Sequence, residues 1–135
     1  MAICWRVVSN ACRTVKFETD RRQQAQSQIV NTLANHAAAL PGGLRFEVQS
    51  LEVRMRCLGT ECISGAILAA VATGKDKRGN EVRVQATNQA DATADTTLLC
   101  KEAMPAVTNS VDKALGITLA DMSRRLAPQT GVSGP

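Results

Sequence analysis

Apolar and polar positions follow two different periods along this chain, and the change of period marks its elements. From residue 44 the period is two. Leu44, Phe46 and Val48 alternate with Arg45, Glu47 and Gln49, and then Leu51, Val53, Met55 and Cys57 alternate with Glu52, Arg54 and Arg56. This is the pattern of a half-buried strand. The apolar set switches from even to odd positions across Gln49 and Ser50, and a strand cannot exchange its faces without losing its core contacts. The pattern therefore predicts a β-bulge there, one extra residue that restores the alternation and bends the strand. Residues 58–61, with Gly59 among them, suit a hairpin loop. A second strand over 63–73 follows, so rich in alanine (AILAAV at 66–71) that its two faces cannot be told apart. It reads as buried on both sides, or as covered by a helix on one and by loops on the other. Residues 75–80 (KDKRGN) form a charged turn. Val82, Val84 and Ala86 then alternate with Glu81, Arg83 and Gln85 as a third strand that fades over 88–97.

On either side of this block the period is 3.6. Ala25, Ile29, Leu33, Ala37 and Leu40 share one helical face. Thr19 or Asp20 can cap the helix, and the stretch LPGG at 40–43 ends it. Met104, Val107, Val111, Ala114, Leu115, Thr118, Met122 and Leu126 trace a second helical face. Pro105 is expected in the first turn, where its missing N–H costs nothing. Gly116 weakens the middle by about 1 kcal/mol relative to Ala, and Arg124 and Arg125 suit the C-terminal end of the dipole. At the start of the chain, residues 3–8 and 14–17 are short β-like runs separated by Ser9 and Asn10. Amphipathic helices need an apolar sheet face to cover. The expected fold is therefore α+β: a two-layer sandwich of one mixed or antiparallel sheet with both long helices on one face. Residues 1–127 form a single domain and 128–135 a disordered tail.

Composition narrows the function classes. Among 135 residues there are no Tyr, and aromatics make up 2%. Single-strand nucleic-acid binding by base stacking, which needs aromatic platforms, is disfavoured. The net charge is +4, but the cations at 21–22, 75–78 and 124–125 are dispersed among carboxylates. The expectation is a solvated surface with at most weak nucleic-acid binding. No apolar run reaches the roughly 18 residues needed to span a bilayer. Residues 1–17 lack the uninterrupted apolar core of a signal peptide, and Cys4 does not sit in a lipid-attachment motif.

The chain offers little reactive chemistry. It has five cysteines, an odd number, and one histidine. Cys57 and Cys62 flank the hairpin loop and can face each other across the strands, so they are the expected disulfide, which suits an oxidising compartment. Cys4, Cys12 and Cys100 allow several pairings, and the sequence does not choose among them. A cysteine nucleophile would need His36 as its base. Cys100, near the start of the last helix, is the thiol that a dipole would activate. His36, near the end of the first helix, reads instead as a surface residue or a partner of the helix C-terminus. A zinc site built from Cys57 and Cys62 would need Cys4 and Cys12 as its second pair, which are spaced too widely. The glycines at 42–43 lead into a strand and make no phosphate loop. No catalytic residue, metal or cofactor is expected.

Three segments carry a family resemblance. They are the long first strand at 44–53 (LRFEVQSLEV), the hairpin formed by 66–72, the Gly79 and Asn80 turn and 82–87, and the terminal helix bearing VTNSV at 107–111 and LADMS at 119–123. Over residues 44–126 the chain resembles the YajG-like family of bacterial envelope lipoproteins. The helix over 20–40 falls where that family has its first helix. The resemblance implies a non-enzymatic periplasmic domain that binds another envelope protein and is at most peripheral to the membrane. The location it implies is the cell envelope if a leader precedes this segment, and the cytoplasm otherwise. The alternative readings are a small cytosolic thiol or redox protein using Cys100 or the Cys57/Cys62 pair, and a weak basic nucleic-acid binder.

Overall fold

In the computed structural model, residues 2–5, 8–10, 19–58, 61–95 and 100–132 are described. They form β1 (Ala2–Trp5), β2 (Val8–Asn10), α1 (Thr19–Ala39), β3 (Leu44–Leu58), β4 (Glu61–Lys75), β5 (Glu81–Asp95) and α2 (Cys100–Thr130). The fold is α+β, as the two periods predict. β3, β4 and β5 form an antiparallel meander, and β1 and β2 add to the free side of β3 in parallel, which makes the sheet mixed. Ser9 and Asn10 pair with Glu52 and Val53 inside β2 rather than separating two runs. The expected run at 14–17 lies outside the described residues.

The predicted bulge is present. Val48 pairs with Ala70 and Ser50 with Ala69, so Gln49 is the extra residue. It lets Leu44, Phe46 and Val48 share a face with Leu51 and Val53, all buried. The β3–β4 hairpin is tighter than the sequence suggests, because Leu58 pairs with Glu61 and both belong to strands. β5 likewise continues in register to Asp95 instead of fading.

One face of the sheet meets both helices. Ser64, Ala66, Leu68, Ala70 and Ala72 of β4 and Val82, Val84, Ala86, Ala90 and Ala92 of β5 are buried beneath them. The alanines are small, so α2 approaches closely with its own small positions, Ala106, Ser110, Ala114 and Thr118, all buried and spaced four apart. α1 inserts Ile29 and Leu33, and Leu40 just beyond its end follows, into the same cluster as Phe46, Leu51, Leu119, Met122 and Leu126. Among the described residues no helix covers the opposite face of the sheet. The odd positions of β4 (Ile63, Gly65, Ile67, Ala69, Thr73) are therefore half-exposed, not buried on both sides.

α2 is longer than its apolar stripe. It starts at Cys100, which puts Pro105 beyond the first turn, and it runs to Thr130, so residues 128–130 of the expected tail are helical. Gly131, at φ 72°, then ends it, with its N–H bonded to Ala127 O at 2.9 Å. Among the described residues no helix is long and apolar enough to cross a membrane.

Candidate functional site

The uncovered face is built by rule. Each residue of β4 that turns away from the helices is flanked in register by one residue of β3 and one of β5. The rows read Arg45–Thr73–Arg83, Glu47–Val71–Gln85, Ser50–Ala69–Thr87, Glu52–Ile67–Gln89 and Arg54–Gly65–Asp91. A spine of small or apolar residues thus runs between two polar margins. Arg54 Nε bonds Glu52 Oε1 at 2.6 Å, and Arg45 lies 3.8 Å from Glu47. Both ion pairs lie on the surface and contribute at most about 1 kcal/mol each.

At the centre of the face an uncharged bridge spans the spine. Gln85 Nε2 donates to Gln49 Oε1 at 3.0 Å across β4. The bulge residue supplies one partner of this bridge, and Val71 beneath it is only 5% exposed. Further along, Gly65 forms the floor of a dent of about 300 Å³ lined by Arg54, Ile63, Ile67, Gln89 and Asp91. A side chain at 65 would meet Asp91 Oδ1, which lies 2.8 Å from where its Cβ would sit. Amides, hydroxyls and balanced charges make this face a hydrogen-bonding surface.

A second polar group lies between the layers. His36 is 1% exposed, which corrects the expectation of a surface residue. Its Nδ1 is 2.7 Å from Thr130 Oγ1 and its Nε2 is 2.9 Å from Ser123 Oγ. The Thr130 hydroxyl donates to Leu126 O at 3.0 Å, so its oxygen is left to accept from Nδ1–H, and Ser123 donates to Nε2. A neutral ring, with one donor and one acceptor, satisfies both contacts. Burial lowers the His36 pKa below the ordinary imidazole value. The sequence carried a signal for this. Ile29, Leu33, His36 and Leu40 follow helical spacing, and His36 fills the buried position to which the stripe assigns Ala37, which is only half-buried.

The two layers share other polar contacts. Ser64 Oγ and Ser110 Oγ are 3.0 Å apart, and Asn88 Nδ2 donates to Thr118 Oγ1 at 3.2 Å. These two α2 hydroxyls also donate to their own helix, Ser110 to Val107 O and Thr118 to Ala114 O.

The structure separates the residues considered for catalysis. Ser123, which touches His36, is 23 residues along α2 from Cys100 (123 − 100), roughly 35 Å at helical rise. His36 is thus no base for Cys100. Cys57 and Cys62 are opposed in register at the β3–β4 hairpin, but their side chains lie outside the described residues, as do those of Cys4, Cys12 and Cys100. Among the described residues no group of three or more His, Cys, Asp or Glu is placed to hold a metal ion.

No family model matches the chain, and no curated protein sequence matches it. Solved structures do share its architecture. A minor lipoprotein from Acinetobacter baumannii superposes with a TM-score of 0.52 at 12% identity, covering 95% of this chain and 93% of that one. A putative lipoprotein from Caulobacter crescentus CB15 gives a TM-score of 0.49 at 16% identity, over 97% and 93% of the two chains. At these identities the likeness to the Acinetobacter protein is one of fold.

Proposed function

We propose that this chain is a cell-envelope interaction domain of the small lipoprotein kind, without catalytic activity, that binds another envelope protein through the open face of its sheet. The observation that carries the reading is that face. One side of the meander is sealed by both helices, and the other presents an array of glutamine, threonine and balanced charge around a narrow apolar spine. Such composition suits a wet interface with a folded protein, fixed by hydrogen bonds to amides and hydroxyls. The YajG-like pattern of residues 44–126, and a fold shared nearly end to end with an Acinetobacter lipoprotein, support the envelope as its setting. An oxidising envelope compartment also fits a Cys57–Cys62 disulfide at the hairpin, which belongs to the same proposal.

The experiment is quantitative capture from envelope extracts, comparing the natural chain with a variant whose open face is altered on β3, at Gln49→Arg and Ser50→Glu. Loss of the captured protein from the variant alone, with thermal stability unchanged, is the expected result. Equal capture by both chains would assign the binding to another surface.

A further inference from the structure

β5 is an edge strand, and its outer side can be read residue by residue. Arg125 Nη1 donates to Gln85 O at 2.5 Å, and Lys113 Nζ donates to Asp91 O at 3.5 Å, both from α2. β4 lies on the other side of the strand, so the odd-numbered residues of β5 point their main-chain groups outward. Arg83, Thr87, Gln89 and Thr93 share that parity. Among the described residues no hydrogen bond reaches the outward main-chain groups of Thr87 or Gln89. A long strand edge with free donors and acceptors is a template for another strand.

The side chains of β5 specify which strand fits. In an antiparallel pair, outward-pointing residues must oppose each other, because they exchange both hydrogen bonds. A symmetric pair centred on Asn88 obeys this, but it sets Glu81 against Asp95 and Arg83 against Thr93. A pair centred on Thr87 sets Arg83 against Asp91 and Gln85 against Gln89, each twice by symmetry. Opposite charges and matched amides directly across a ladder are stabilising, and like charges are not.

We propose that the outer edge of β5 docks a second copy of this chain, the two strands pairing antiparallel about a two-fold axis at Thr87. The contact is isologous, as closed dimers require, and it joins the two sheets edge to edge. Arg125 and Lys113 compete with it, because they occupy carbonyls that the partner's N–H groups need. Both are exposed, and Arg125 keeps Asp121 as a partner at 3.5 Å when it leaves Gln85. The α2 cations thus set a threshold for pairing and oppose indiscriminate edge association. Arg83 and Asp91 also border the open face, but the self-association they control is read on the purified chain alone, so the inference stands or falls separately from the proposed envelope partner.

Sedimentation velocity of the purified chain, from micromolar to several hundred micromolar, tests it. A reversible dimer is expected. Arg83→Asp and Asp91→Arg should each weaken it by about tenfold, since two cross-strand attractions become repulsions. The double variant should restore it, and Asp95→Arg should leave it unchanged. Lys113→Ala should tighten it. Amide exchange supplies a second readout: Thr87 and Gln89 gain protection as concentration rises, while Asn88, whose N–H faces β4, does not. A monomer at every concentration, as expected if the edge serves only a peptide from another protein, would overturn the proposal. So would a dimer indifferent to the charge reversals or one disrupted at Asp95.

Discussion

At the scale of single residues, His36 has the clearest energetic role. Its neutral ring bridges Ser123 and Thr130 and so ties the end of α1 to the last turns of α2. Because burial lowers its folded pKa, the unfolded chain takes up the proton first as pH falls through about 6.5. The unfolded state then binds more protons than the folded one, so stability decreases with falling pH from near neutrality down to the lowered value. Denaturant melts across pH 5 to 8 should show this slope. His36→Gln should flatten it and cost about 1–3 kcal/mol, the range for leaving buried hydroxyls without their partner. An unchanged slope would mean that His36 is not the titrating group.

Cys57 and Cys62 belong to the same scale. Outward main-chain groups at odd positions of β5 require even positions of β5 and β4 to bond each other, and odd positions of β4 to bond β3. Cys62 is even, so it opposes Cys57 as a non-hydrogen-bonded pair, with Cα atoms about 4.5 Å apart, within the range a disulfide accepts. Thiol–disulfide exchange with oxidised glutathione, which takes up the two electrons and two protons and leaves as two molecules of reduced glutathione, should join them. Peptide mapping without reduction should recover 57 joined to 62, and Cys57→Ser with Cys62→Ser should cost no more than about 2 kcal/mol. Either cysteine joined to Cys4, Cys12 or Cys100 would contradict the pairing.

At the scale of elements, packing tolerances are uneven. Gly74 of β4 packs against the turn that joins α1 to β3. A Cβ there would sit 3.0 Å from Gly43 O and 3.0 Å from Leu40 Cδ1. Backbone cannot yield as a side chain can, so Gly74→Val should destabilise by about 1–3 kcal/mol, as thermal melts would register. Gly65→Ala meets only the end of the Asp91 side chain and should cost far less. What the sequence reveals at this scale depends on contrast between neighbours. β3 alternates large apolar with charged residues, so its faces, its strand and its bulge at Gln49 are all legible. β4 does not, because alanine fits a buried and a half-exposed position equally well, and only pairing with β3 and β5 assigns its open side. The extent of α2 was hidden too, since Pro128, Gln129 and Thr130 look like tail until Thr130 is seen against His36. The bridge between Gln49 and Gln85 joins residues 36 apart, which no local pattern reports.

At the scale of the whole molecule, the asymmetry of the sheet organises everything else. Both helices and the buried hydroxyls lie on one side, and the other side keeps its polar margins. The net charge of +4 is spread over many positions, so binding to nucleic acid should be weak and should collapse at moderate salt, as diffuse counterion release requires. Filter binding across a salt series would check this, and tight, sequence-selective binding at physiological salt would contradict it. The envelope setting, the open face as binding surface and the paired β5 edges are compatible: dimerisation at the edge would double the face without covering it.

The most direct measurement is photocrosslinking in envelope fractions from two positions of the same chain. One probe replaces Gln85, at the centre of the open face. The other replaces Ile117, which is 48% exposed on the outer side of α2. A discrete crosslinked partner distinct from the chain itself, formed from position 85 and not from 117, is the predicted result. The same partner captured equally from both positions, or only from 117, would contradict the open face as the binding surface.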